Sequence, residues 1–82
     1  MPKLRRLSGQ DLLRIFAGFG FHPVPQRGSH VQLRRIGPGA TRQTLTAALH
    51  VEVDMGTLRV IFRQALRYIA EAELRPHFNT EA

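Results

Sequence analysis

Residues 30–49, HVQLRRIGPGATRQTLTAAL, decide the fold. Val31 and Leu33 alternate with His30, Gln32 and Arg34, the period-two pattern of a strand with one buried face and one open face. Gly37, Pro38 and Gly39 interrupt the run with residues that favour a chain reversal, and TRQTLTAAL then resumes it with Leu45, Ala47 and Leu49 as the inward set. The stretch reads as an antiparallel hairpin, with a first strand over residues 29–36, a second over residues 41–49, and His30, Gln32 and Arg34 on its open face.

Upstream, the segment FHPVPQR carries Pro23 and Pro25. Neither has a backbone donor for a ladder, so this segment predicts an edge or irregular strand, with Gly28 making a tight turn into the hairpin. Before it, Ser8 and Asp11 have the spacing of a capping box. Leu12, Leu13 and Phe16 share one face, and Gly18 and Gly20 are stop signals, so a helix is expected over residues 9–18. Downstream, Asp54 is placed to cap a second helix whose stripe is Leu58, Ile61, Phe62, Ala65 and Ile69, with Arg59, Arg63 and Arg67 stacked four residues apart. After it, a short turn or helix is expected before Pro76, then a frayed tail over residues 76–82, leaving residues 1–75 as one domain. The order is αβββα. Three antiparallel strands have one apolar face to cover and two amphipathic helices cover it, giving a two-layer α+β domain.

Composition narrows the partners. The 82 residues carry twelve Lys and Arg against six Asp and Glu, a net charge of +6, and Lys3 is the single lysine among the twelve. Guanidinium groups favour bidentate contacts with phosphate or carboxylate, so nucleic acid or an acidic protein is the expected partner. With no cysteine, disulfides and thiolate zinc sites are excluded, and a reducing cytoplasm is the expected compartment. LLRIFAGFGF resembles a signal peptide but is flanked or interrupted by Gln10, Asp11 and Arg14, and no apolar run approaches the length of a membrane span.

A histidine exchanges protons near neutral pH, and the 2′-hydroxyl of RNA lies beside its own phosphate, so one positioned base with cationic support promotes cleavage without a metal. His30 is a candidate proton-transfer residue, with Gly28 able to let backbone approach a phosphate and Ser29 able to orient or shield the imidazole. Arg27, Arg34, Arg35, Arg59 and Arg63 are the expected RNA contacts. The plainer alternatives are a polar residue on an open strand for His30 and a solvated helix face for the arginine line. His22, His50 and His77 have no metal-ligand spacing, His50 reading as a polar turn residue or a strand-end partner, so neither metal nor other cofactor is expected. Nucleophile elbows, phosphate-binding loops and dinucleotide fingerprints are missing from the sequence.

QRGSH, residues 26–30, followed by MGTLRVIFRQA, residues 55–65, resembles the HicA toxins of bacterial type II toxin–antitoxin systems, which carry Gln-x-Gly-Ser-His and later a Gly-Thr-Leu-Arg helix start. The resemblance runs from about Ser8 to Ala65. It implies an αβββα fold like the double-stranded RNA-binding domain and a ribosome-independent mRNA interferase with His30 as the single catalytic histidine. It also implies a HicB antitoxin that covers the active site, and contact with operator DNA only through the toxin–antitoxin complex. The chain departs from the common pattern by continuing through LRYIAEAELRPHFNTEA and by lacking a proline before the Gly-Thr-Leu helix. The alternative is a non-catalytic RNA-binding or protein-interaction module of the same fold.

Overall fold

The computed structural model describes residues 4–24 and 28–79. Helix α1 (Gly9–Ala17) leads into a three-stranded antiparallel sheet of β1 (His22–Pro23), β2 (His30–Ile36) and β3 (Arg42–Ala48), in that spatial order. Helices α2 (Met55–Ala65) and α3 (Glu71–Phe78) follow. The α+β reading holds, with one helix more than expected.

The hairpin forms where the alternation placed it. β2 pairs with β3 from His30↔Ala48 to Ile36↔Arg42, around a short 3-10 turn at Pro38–Ala40 in which Gly39 has φ 67° and Ala40 φ 59°. Val31, Leu33, Leu45 and Ala47 are buried. Leu49, expected inward, is instead 39% exposed, because the alternation breaks at the end of β3, where Ala47 and Ala48 are both buried. β1 is reduced to His22 and Pro23, paired with Arg34 and Leu33, which suits a segment with prolines at 23 and 25.

Side-chain caps start both long helices. Ser8 Oγ accepts from the Asp11 N–H at 3.0 Å while Asp11 accepts from the Ser8 N–H at 2.9 Å, a complete capping box. Asp54 accepts from Thr57 through both its hydroxyl and its N–H, at 2.6 and 3.0 Å. The Ser8 backbone bond holds the Asp11 carboxyl below its usual range, and the Thr57 hydroxyl does the same for Asp54. With folded values below unfolded ones, both caps contribute stability above the ordinary carboxylate range and lose it as pH falls through the lowered values.

The core collects Leu12 and Phe16 from α1, Phe21, the inward residues of the sheet, Leu58, Ile61 and Ala65 from α2, then Ile69, Leu74 and Phe78. α2 stops at Ala65 rather than running on to Ile69, and Ile69 reaches the core from beyond the following turn.

Of the tail expected to fray over residues 76–82, residues 76–79 are instead packed into the fold, and residues 80–82 lie outside the described residues. Pro76 lies inside α3, Phe78 is fully buried with its ring 5.9 Å from that of Phe16 and 5.2 Å from that of Phe62, and Arg75 pairs with Glu71 one turn back. An interior proline costs a helix about 3 kcal/mol. Burial of Leu74 and Phe78 returns roughly 1.5–3 kcal/mol each, enough to offset it. Asn79 then bridges Leu4 in antiparallel fashion, and the Arg5 N–H donates to the Phe78 carbonyl at 2.6 Å. Among the described residues no helix is long and apolar enough to cross a membrane.

Candidate active site

His30 is exposed at the first position of β2, on the sheet face away from the core. Gly28, two residues before it, has φ 96°, a conformation that favours glycine. Open space surrounds the position of its missing Cβ, so glycine is required here by the backbone turn. Pairing with β3 continues one step past the strand, since the Leu49 N–H donates to the Ser29 carbonyl at 2.6 Å. The Ser29 hydroxyl lies 3.4 Å from His30 Nδ1, a long contact that occupies one ring nitrogen and leaves Nε2 for a ligand.

The hairpin register brings a second imidazole to this point. The rings of His30 and His50 are 6.2 Å apart between centroids, inclined at 68°. His50 is anchored through its backbone, with its carbonyl accepting from the Gly9 N–H at 2.7 Å where α1 begins. A Cβ on Gly9 would lie 2.6 Å from both the Ala48 carbonyl oxygen and Leu49 Cα, so glycine alone lets the helix end approach the strand this closely. Sequence reading weighed His50 as a strand-end partner and favoured a turn residue. The usable signal was the hairpin register, which sets His30 opposite Ala48.

The arginines divide. Arg34 shares the open face with His30 and lies between His22 of β1 and Thr44 of β3. Its Nε is buried and meets no hydrogen-bond partner among the described residues. Four residues along a strand separate it from His30, roughly 13 Å. It therefore suits a phosphate other than one held at the imidazole.

Arg35, expected beside Arg34 as an RNA contact, points to the opposite face and is engaged inside the fold. Its Nε donates to Gln43 Oε1 at 2.8 Å, and its terminal nitrogens donate to the carbonyls of Phe19 at 3.0 Å and Tyr68 at 2.9 Å. The guanidinium carbon sits 4.5 Å from the Phe21 ring centroid. Hydrogen bonds from a charged donor contribute about 1.5–3 kcal/mol each and do not add fully, so Arg35→Ala is expected to lower stability by about 3 kcal/mol, read as a lowered urea midpoint at unchanged slope.

Arg59 and Arg63 are exposed on α2, off its buried stripe of Leu58, Ile61 and Ala65, and Arg67 lies in the turn beyond the helix. Arg27 lies outside the described residues. A groove of about 450 Å³ bordered by Arg5, Asp11, Arg14, Phe19 and His77 shares no residue with the His30 site. Exposed Leu49, Val51 and Met55 flank His50 in the chain.

A model of the HicA toxin of bacterial toxin–antitoxin systems matches residues 9–66, a span that includes the whole sheet, His30 and His50. No curated protein and no solved structure matches the chain.

Proposed function

The chain belongs to the HicA toxin family of bacterial toxin–antitoxin systems, and from that premise we propose a ribosome-independent mRNA interferase that cleaves RNA by metal-independent acid–base chemistry at His30. The family carries a nuclease-type toxin role, an RNA substrate and an antitoxin partner. The observation that carries the reading is His30 itself, exposed on the open sheet face with one ring nitrogen occupied by Ser29 and the other available. Nε2 takes the proton of a 2′-hydroxyl, whose oxygen attacks the adjacent phosphorus while the bond from phosphorus to O5′ breaks, and the departing oxygen takes up a proton to leave as a 5′-hydroxyl. No metal is required, because nucleophile and phosphate belong to the same nucleotide and are already in proximity.

RNA lies across the open face, its backbone reaching from His30 toward Arg34. The buried, unpartnered Arg34 Nε favours a phosphate there, since a bound oxygen would satisfy a donor that otherwise bears a desolvation cost of about 1–3 kcal/mol. Arg59 and Arg63 extend the positive surface for more distant phosphates, and Arg27 is retained from the sequence as a further contact. Arg34→Ala is expected to weaken RNA binding and to reduce the slope of log affinity against log salt by about 0.7–1, measured by titration at several ionic strengths. Arg35→Ala, compared under conditions where it stays folded, should leave that slope unchanged.

A HicB-type antitoxin neutralises the toxin by covering His30, and exposed Leu49 and Val51, on either side of His50 in the chain, offer it apolar contacts. Contact with operator DNA is made through the antitoxin, and the working compartment is the cytoplasm. The test is incubation of the purified protein with single-stranded RNA in the presence of a chelator. Cleavage is expected. Salt-sensitive binding without cleavage would favour the non-catalytic module instead.

A further inference from the structure

We propose that His50 is the second proton-transfer group of this site, acting as general acid to the His30 general base. The inference rests on the endoribonuclease reading above and adds a residue to it. An imidazole at the start of β2 and one two residues past the end of β3 converge at one end of the open face, with ring centroids 6.2 Å apart and both side chains exposed. Among the described residues neither ring of the pair is closed off by a carboxylate. His30 has Nδ1 beside the Ser29 hydroxyl, and with that nitrogen donating, Nε2 carries the lone pair a base needs.

The spacing suits one phosphodiester. In-line displacement puts the attacking and leaving oxygens on opposite sides of phosphorus. A general acid or base works within about 2.6–3.2 Å of its oxygen, so two rings at this separation can address both oxygens of a single phosphate. His30 removes the 2′-hydroxyl proton as the bond from O2′ to phosphorus forms. His50 in its protonated form delivers a proton to O5′ as the bond from phosphorus to O5′ breaks. The products are a 2′,3′-cyclic phosphate and a 5′-hydroxyl. The site has gained one proton at His30 and lost one at His50, and exchange with water resets it.

The anchoring supports a placed imidazole. The Gly9 N–H holds the His50 carbonyl, and the Leu49 N–H holds the Ser29 carbonyl, so backbone bonds fix the residues next to both rings relative to the same helix end and hairpin.

The experiment compares wild type, His30→Ala, His50→Ala and His50→Gln on two RNA oligonucleotides, one all-oxygen and one with sulfur in place of the leaving 5′-oxygen. A thiolate departs without protonation, so the sulfur substrate removes the need for an acid and keeps the need for a base. Both His50 variants are expected to lose about 10²-fold or more in kcat on the oxygen substrate with little change in KM, and to recover to within about tenfold of wild type on the sulfur substrate. His30→Ala should remain slow on both. Oxygen-substrate turnover by the His50 variants at the wild-type rate, or an equal deficit on the two substrates, overturns the proposal and leaves the His30 reading standing. If wild type cleaves neither substrate, the endoribonuclease reading itself falls, and the His50 role with it.

Discussion

Replacing His30 with alanine is expected to lower RNA cleavage by about 10²–10⁴-fold, or about 3–5 kcal/mol of transition-state stabilisation, with the fold intact. The side chain is exposed and contributes nothing to the core, while its backbone pairing with Ala48 is independent of the imidazole. Circular dichroism and the urea midpoint should therefore match wild type. Binding should change little, because the phosphate contacts assigned to Arg34 and to α2 remain in place. The effect belongs in kcat, as expected for a group that acts in the transition state. On induced expression in bacteria, wild type should arrest growth and His30→Ala should not. Growth arrest by both proteins at equal expression would remove His30 from the mechanism.

Phe78→Ala is expected to cost about 3–5 kcal/mol, the range for truncating a buried aromatic ring. A domain of this length has about 0.05–0.15 kcal/mol per residue to lose, so the variant approaches the limit of stability. Phe78 is fully buried against Phe16 of α1 and Phe62 of α2, and removing its ring separates three helices at once. With about 4–8 °C lost per kcal/mol in a domain this small, the thermal midpoint should fall by roughly 15–30 °C, read by differential scanning calorimetry. A chain ending at residue 75 should fare at least as badly. An unchanged midpoint for either protein would show that α3 is dispensable to the core.

The hairpin and both capped helices were legible because each depends on local chemistry: alternation at residues 30–36, a Gly-Pro-Gly reversal, and acceptors at Ser8 and Asp54. α3 was harder. Pro76 is a stop signal by every local criterion, and what overrides it is the burial of Leu74 and Phe78 against elements more than ten residues away in sequence. Arg35 was legible and misassigned. Adjacent residues on a strand face opposite ways, so Arg34 and Arg35 cannot share a surface, and the alternation that set Val31 and Leu33 inward extends to Arg35. Its acceptors, the carbonyls of Phe19 and Tyr68, carry no sequence signal, since any residue presents a carbonyl. His50 lies twenty positions from His30. Only the pairing of Ile36 with Arg42 through to His30 with Ala48 brings the two together, and turn composition alone does not fix that register.

The antiparallel bridge between Leu4 and Asn79 makes the described chain a nearly closed circuit, with its two ends held side by side. In such a fold the point where the polypeptide is cut is separable from its architecture. A short linker joining the ends, with new termini opened in the exposed turn at Pro38–Ala40, would preserve every helix and strand while unlinking β2 from β3. The two histidines would then be connected in the chain through α2, α3, the linker and α1 rather than through the hairpin turn, and cleavage by such a permuted chain would show that the site is assembled by packing rather than by the hairpin's connectivity.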